Sequence, residues 1–244
     1  MKQWRQTGLW WCVGLALMAL RLLHNRFGFD SSTGLSVPCW QRPALVAGLV
    51  LTAAGSVLLH WRLPRTKAAF GDAFALPERE TALLAAGSLL LAAGGGLVAV
   101  RSALERGGAA ALAAGALALA AGGGLLVGLR RLRTGQDMTA APLLPAMFFS
   151  VFFVLAVYLP AADDPVLARY DIQVLATAAA AYAFSQLAGF TQRESSPRRF
   201  AITASLAVAL CIAALADSVG LPLRLLFAGC GAVLSGFLLL LKRT

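Results

Sequence analysis

Residues 109–129 read AAALAAGALALAAGGGLLVGL, twenty-one consecutive positions without a charge, and Arg130-Arg131-Leu132-Arg133 follows directly. An α-helix needs about 20 apolar residues to cross a hydrocarbon layer roughly 30 Å thick. In that solvent every backbone N–H and C=O must be bonded within its own segment or in a closed barrel. The run is continuous, not alternating, so it reads as a helix and not as a barrel strand. Outward from it, comparable runs lie at about 8–23, 44–60, 81–100, 143–159, 172–190, 200–216 and 221–241. Asp164 is a suitable N-cap and Pro165 a suitable first helical residue, so the sixth helix is expected over 165–190. The chain therefore reads as all-α: a polytopic transmembrane helical bundle of about eight helices, with residues 1–244 forming one integral membrane domain.

Composition agrees. A chain of 244 residues that is 59% apolar and 13% charged, with a mean hydropathy of +0.75, has more apolar surface than one soluble core can bury. The first run follows Lys2 and Arg5, as in a signal peptide. It leads into Arg21, His24, Asn25 and Arg26 with no small-x-small cleavage site, so it is expected to be a retained helix.

The formal net charge of +10 sits at the ends of apolar runs instead of on one amphipathic face. It points to topology signals and lipid headgroups, and away from nucleic acid. One side of the membrane holds Lys2, Arg5, Arg62, Arg65, Lys67, Arg79, Arg130, Arg131, Arg133, Arg193, Arg198, Arg199, Lys242 and Arg243, fourteen in all. The other side holds seven: Arg21, Arg26, Arg42, Arg101, Arg106, Arg169 and Arg224. By the positive-inside rule both termini are expected in the cytoplasm, with the chain in a bacterial inner membrane. Trp4, Trp10, Trp11, Trp40, Trp61 and Tyr158 lie near the expected helix ends, where amphipathic rings suit the headgroup layer.

Leu84–Leu97 reads LAAGSLLLAAGGGL and Leu112–Leu125 reads LAAGALALAAGGGL, with twelve of fourteen positions identical. Consecutive spans run in opposite directions, and biased composition is the simpler explanation. Ser88, Ala92 and Gly96 form a small-residue stripe, as do Ala116, Ala120, Gly124 and Gly128, so close packing of the third and fourth spans is expected. Ala228, Ala232 and Gly236 form a third stripe.

Candidate chemistry gathers on the outer side. Asp30, Asp163, Asp164, Arg169, Tyr170 and Asp171 form a polar set there, and the next helix adds Gln173, Thr177, Tyr182, Ser185 and Gln186. Gln173 and Gln186 join the outer set as ligand-facing candidates, while hydrogen bonding between helices accounts for the same polarity. Asp217 ends the seventh span and Arg224 begins the eighth, so a structural ion pair is expected across Gly220-Leu221-Pro222. Arg21 and Arg224 lie near helix ends and can snorkel. No Asp, Glu, Lys or His falls at mid-span, where proton relays and intramembrane hydrolases place such groups. Nucleotide-binding, zinc-protease and nucleophile-elbow motifs do not occur, and neither Ser150 nor Ser205 has a base nearby in the sequence. The two histidines, His24 and His60, and the widely spaced Cys12, Cys39, Cys211 and Cys230 suit neither a metal site nor a disulfide framework. No cofactor is expected.

Asp164-Pro165-Val166 with Tyr170, Ala188-Gly189-Phe190, Pro197-Arg198-Arg199, Phe27-Gly28-Phe29-Asp30 and Thr33-Gly34-Leu35 resemble segments of a group of uncharacterised bacterial multi-pass membrane proteins. The resemblance implies an architecture of about eight helices and assigns no catalytic role. Enzymatic activity is disfavoured. The expectation is a small transporter-like protein or the membrane subunit of a larger assembly, with the lipid bilayer and membrane proteins or further copies of itself as partners. The alternatives are an intramembrane or interfacial enzyme for a lipid-linked substrate, and a structural or signalling partner.

Overall fold

The computed structural model describes residues 2–30, 33, 35–75, 78–104, 109–134, 136, 138–155, 170–217 and 220–242. These residues form an all-helical bundle: α1 (Lys2–Phe27), α2 (Gln41–His60), the short α3 (Phe70–Ala73), α4 (Glu78–Leu104), α5 (Ala109–Arg133), α6 (Leu144–Phe153), α7 (Asp171–Gly189), α8 (Pro197–Ala214) and α9 (Leu221–Leu240). Seven of them are long and apolar enough to cross a membrane. The expected fifth span corresponds to α6, which is apolar and described over ten residues. Tyr158, Asp163, Asp164, Pro165 and Arg169 lie outside the described residues.

Helices α4 to α9 pack each on the next, and α9 returns to α4, closing a ring; α1 and α2 pair on the outside of α8. Burial follows this arrangement. About 78% of the apolar window of α8 and α9 is inside the protein, against 22% for α2. The exposed Val and Leu side chains of the outer helices are the surface that lipid solvates.

Glycine sets the closest approaches. A Cβ at Gly115 would lie 2.6 Å from the Ala99 nitrogen, and one at Gly122 would lie 2.5 Å from the Ser88 carbonyl oxygen, so α5 touches the backbone of α4. The equivalent positions of the first repeat meet α9: a Cβ at Gly87 would lie 2.7 Å from the Val233 nitrogen, and one at Gly94 would lie 2.9 Å from the Pro222 carbonyl oxygen. The repeated glycine pair thus does the same work at two successive antiparallel contacts. The expected closeness of the third and fourth spans is present, but α5 uses a different face. Ala116 and Ala120 are exposed, and Gly124 meets Pro142.

The end carrying the chain termini, the near end, is closed by the segment after α2. Phe74 packs its ring on Phe190, Phe200 and Phe237 at centroid distances of 5.1, 5.6 and 5.8 Å. Ala75 N–H donates to Leu240 O, and Lys242 N–H to Ala73 O. At the α7–α8 corner Arg193 takes a left-handed backbone (φ 58°), and Ser196 caps α8 by accepting from Arg199 N–H.

Candidate functional site

At the far end, Arg21, His24 and Asn25 share one face of α1 at three- and four-residue spacing. That face meets the turn that follows α8 and the first residue of α7. Arg21 is fully buried; its Nε donates to Asp217 Oδ1 at 2.7 Å, and one terminal nitrogen lies 3.0 Å from Asp171 Oδ1. The other terminal nitrogen lies 3.2 Å from His24 Nδ1. A guanidinium only donates, so Nδ1 is the acceptor and the ring proton sits on Nε2. Asn25 Nδ2 donates to Asp217 Oδ1 and to the Ala216 carbonyl.

One guanidinium therefore holds three helix ends together at the membrane boundary. It faces two carboxylates, one sealed inside and one half exposed. Charge-assisted bonds of this kind offset the cost of burying the ions only because all three guanidinium nitrogens are used. The first loop folds over the cluster. Gly28 N–H donates to the His24 carbonyl, a Cβ at Gly28 would lie 2.5 Å from the His24 ring, and Phe29 meets that ring edge-on at 5.0 Å. Among the described residues, His24 Nε2 and Asp217 Oδ2 are buried without a hydrogen-bond partner.

This network corrects two expectations. Arg21 does not snorkel, since it is the central cation of the far end. Asp217 is joined to Arg21 and not to Arg224, which is exposed at the start of α9. The carboxylate could reach inward to α1, where a buried cation needs an anion, while Arg224 has water and headgroups available.

Of the remaining candidates among the described residues, Gln173 and Gln186 lie near opposite ends of α7. Asp30 is exposed and accepts from Thr33 N–H in the first loop, and Tyr170 is partly exposed before α7. Gln173 is buried near the far end, with Thr177 Oγ1 donating to its carbonyl. Gln186 lies thirteen residues later, about 20 Å along the helix, and accepts from Ser195 Oγ at 3.3 Å. Ser185 likewise returns its hydroxyl to the α7 backbone, at Tyr182 O.

A pairing invisible in the sequence joins α2 to α8. His60 Nε2 lies 2.9 Å from Ser205 Oγ, so Ser205 does have a base beside it, from a residue 145 positions away. The spacing is that of a nucleophile and base. Both residues are sealed, at 1% and 0% exposure, with the Trp10 ring 6.2 Å from that of His60. Ser150 Oγ donates to Ala146 O within α6.

Between α6, α7, α8 and α9 lies a cavity of about 10 Å³, bordered by Ser150, Thr177, Cys211, Phe227 and Cys230. That is room for roughly one water. Larger apolar grooves of about 370 and 380 Å³ run between α6 and α7 and between α1 and α2. Among the described residues no group of three His, Cys, Asp or Glu side chains could hold a metal ion. No family model matches the chain, nor does any curated protein or solved structure.

Proposed function

We propose that this membrane protein is a non-enzymatic component of the bacterial cytoplasmic membrane, the membrane-embedded subunit of a larger assembly, with both termini on the cytoplasmic face. The observation that carries this reading is how the polar groups are used. Arg21, Asp217, Asp171, His24 and Asn25 bond to one another, and the cavity bordered by α6, α7, α8 and α9 admits about one water. A transporter-like role calls for a polar cavity the size of a solute, and a hydrolase for an open nucleophile. The two-to-one excess of basic residues at the near end supports the orientation.

Extraction from the native membrane in mild detergent, followed by native mass spectrometry, tests it. The expected result is a particle heavier than the 25.4 kDa chain, with a companion polypeptide in fixed stoichiometry. Recovery of single chains alone, or solute uptake by liposomes holding only this protein, would overturn it.

A second reading, an interfacial enzyme for a lipid-linked substrate, draws on one feature. Asp171 and His24 converge on the same guanidinium at the membrane boundary, within 3.0 and 3.2 Å. It predicts that Asp171→Asn and His24→Gln abolish turnover of that lipid while the protein level holds.

A further inference from the structure

The near end holds an arrangement that the far-end network does not explain. Trp61 follows the last residue of α2, at the boundary of an apolar span, with its indole about half exposed. Two arginines stack on that one ring. The Arg198 guanidinium carbon is 3.8 Å from the ring centroid and that of Arg65 is 5.1 Å away. Arg198 is only 8% exposed. Among the described residues no carboxylate lies within ion-pair distance of either guanidinium. Glu194, close by in the sequence, is taken by Lys67.

Cation–π contacts orient both groups without neutralising them. Two like charges on one indole, one of them nine-tenths buried, form an electrostatically incomplete site. Arg198 also sits in the first turn of α8, whose N-terminus adds partial positive charge. Membrane depth identifies the missing partner. The ring lies where α2 leaves the apolar layer and α8 enters it, the level at which phospholipid phosphates sit.

We propose that Arg65, Trp61 and Arg198 form a binding site for the phosphate of an anionic phospholipid, with the two guanidiniums as donors and the indole as the wall that holds them apart. Arginine suits this role, because its planar fork matches phosphate oxygens.

The test uses the full-length protein in detergent, titrated with dioleoylphosphatidylglycerol or dioleoylphosphatidylcholine and read by native mass spectrometry and thermal unfolding. The wild type should retain the anionic lipid in preference to the zwitterionic one and unfold at a higher temperature with it. Arg65→Gln, at an exposed position that the fold does not need, should weaken retention about fivefold, the worth of one basic residue at an anionic surface. Arg130→Gln, an exposed cation of the same end, should not weaken it. Arg198→Gln should lose more than Arg65→Gln, and if it does not fold, the Arg65 comparison decides alone. Equal retention of both lipids, or equal effects of Arg65→Gln and Arg130→Gln, would overturn the proposal. Protection by inorganic phosphate equal to that of the lipid would do the same, by assigning the site to a soluble anion.

Discussion

Arg21 is fully buried and offsets the cost of leaving water with Asp217, Asp171 and His24. Removing one member of a buried ion set leaves the others charged and unanswered, which typically costs about 3–5 kcal/mol. Arg21→Gln should therefore lower stability by about that amount, and Asp217→Asn by less, because Asp171 remains beside the guanidinium. Asp171 is half exposed, so Asp171→Asn should cost under about 1 kcal/mol. Arg224→Gln should stay within about 0.5 kcal/mol of the wild type. Unfolding by denaturing detergent in mixed micelles ranks the four. An Arg224 effect as large as that of Arg21 would return the last hairpin to the Asp217–Arg224 pairing. The sequence could not choose between these partners: Arg224 is seven residues from Asp217 and Arg21 is 196 away, and only packing of α1 on α8 brings the distant one closer. The same distance hid the His60–Ser205 contact.

At the scale of helices, the outer two glycines in a run of three pack tightly, Gly124 against Pro142, and the middle one does not. Gly122 lies against the backbone of α4, while a Cβ at Gly123 would meet nothing within 4 Å. Gly122→Val must push α5 away from Ser88 and Ala92 along a contact held together by dispersion, so folded yield in detergent should fall sharply. Gly123→Val should keep wild-type yield. Equal losses would mean that α5 sits at another rotation. The composition announced that these helices touch, because small residues recur at helical spacing in both. It did not announce the rotation: four-residue and seven-residue glycine patterns coexist in so glycine-rich a segment, and the Ala116–Ala120 stripe that looked usable faces outward. The near-end closure was missed for a different reason. Phe70 and Phe74 lie in a short connection bracketed by charge, where two rings give no periodicity, yet they dock on the turn after α7 and on α8 and α9.

For the whole molecule, apolar length bears on the number of crossings and the basic residues on which way they run. Hydropathy was enough for the first because lipid permits hardly any alternative to a helix. The second depends on charge outside the spans, where the cysteines give a direct readout. Cys39 is partly exposed between α1 and α2, at the far end, whereas Cys12, Cys211 and Cys230 lie within membrane-spanning helices. A maleimide that does not cross membranes needs a thiolate in water, so Cys39 is the native thiol it should reach. With both termini in the cytoplasm, intact cells should label the wild type, and Cys39→Ser should abolish the signal. Thr134, exposed just after α5 at the near end, is the complementary probe: Thr134→Cys in the Cys39→Ser background should label only after the membrane is opened. The reverse pattern would invert the protein, placing the Trp61–Arg65–Arg198 cluster outside and the Arg21 network in the cytoplasm, against the two-to-one excess of basic residues at the near end.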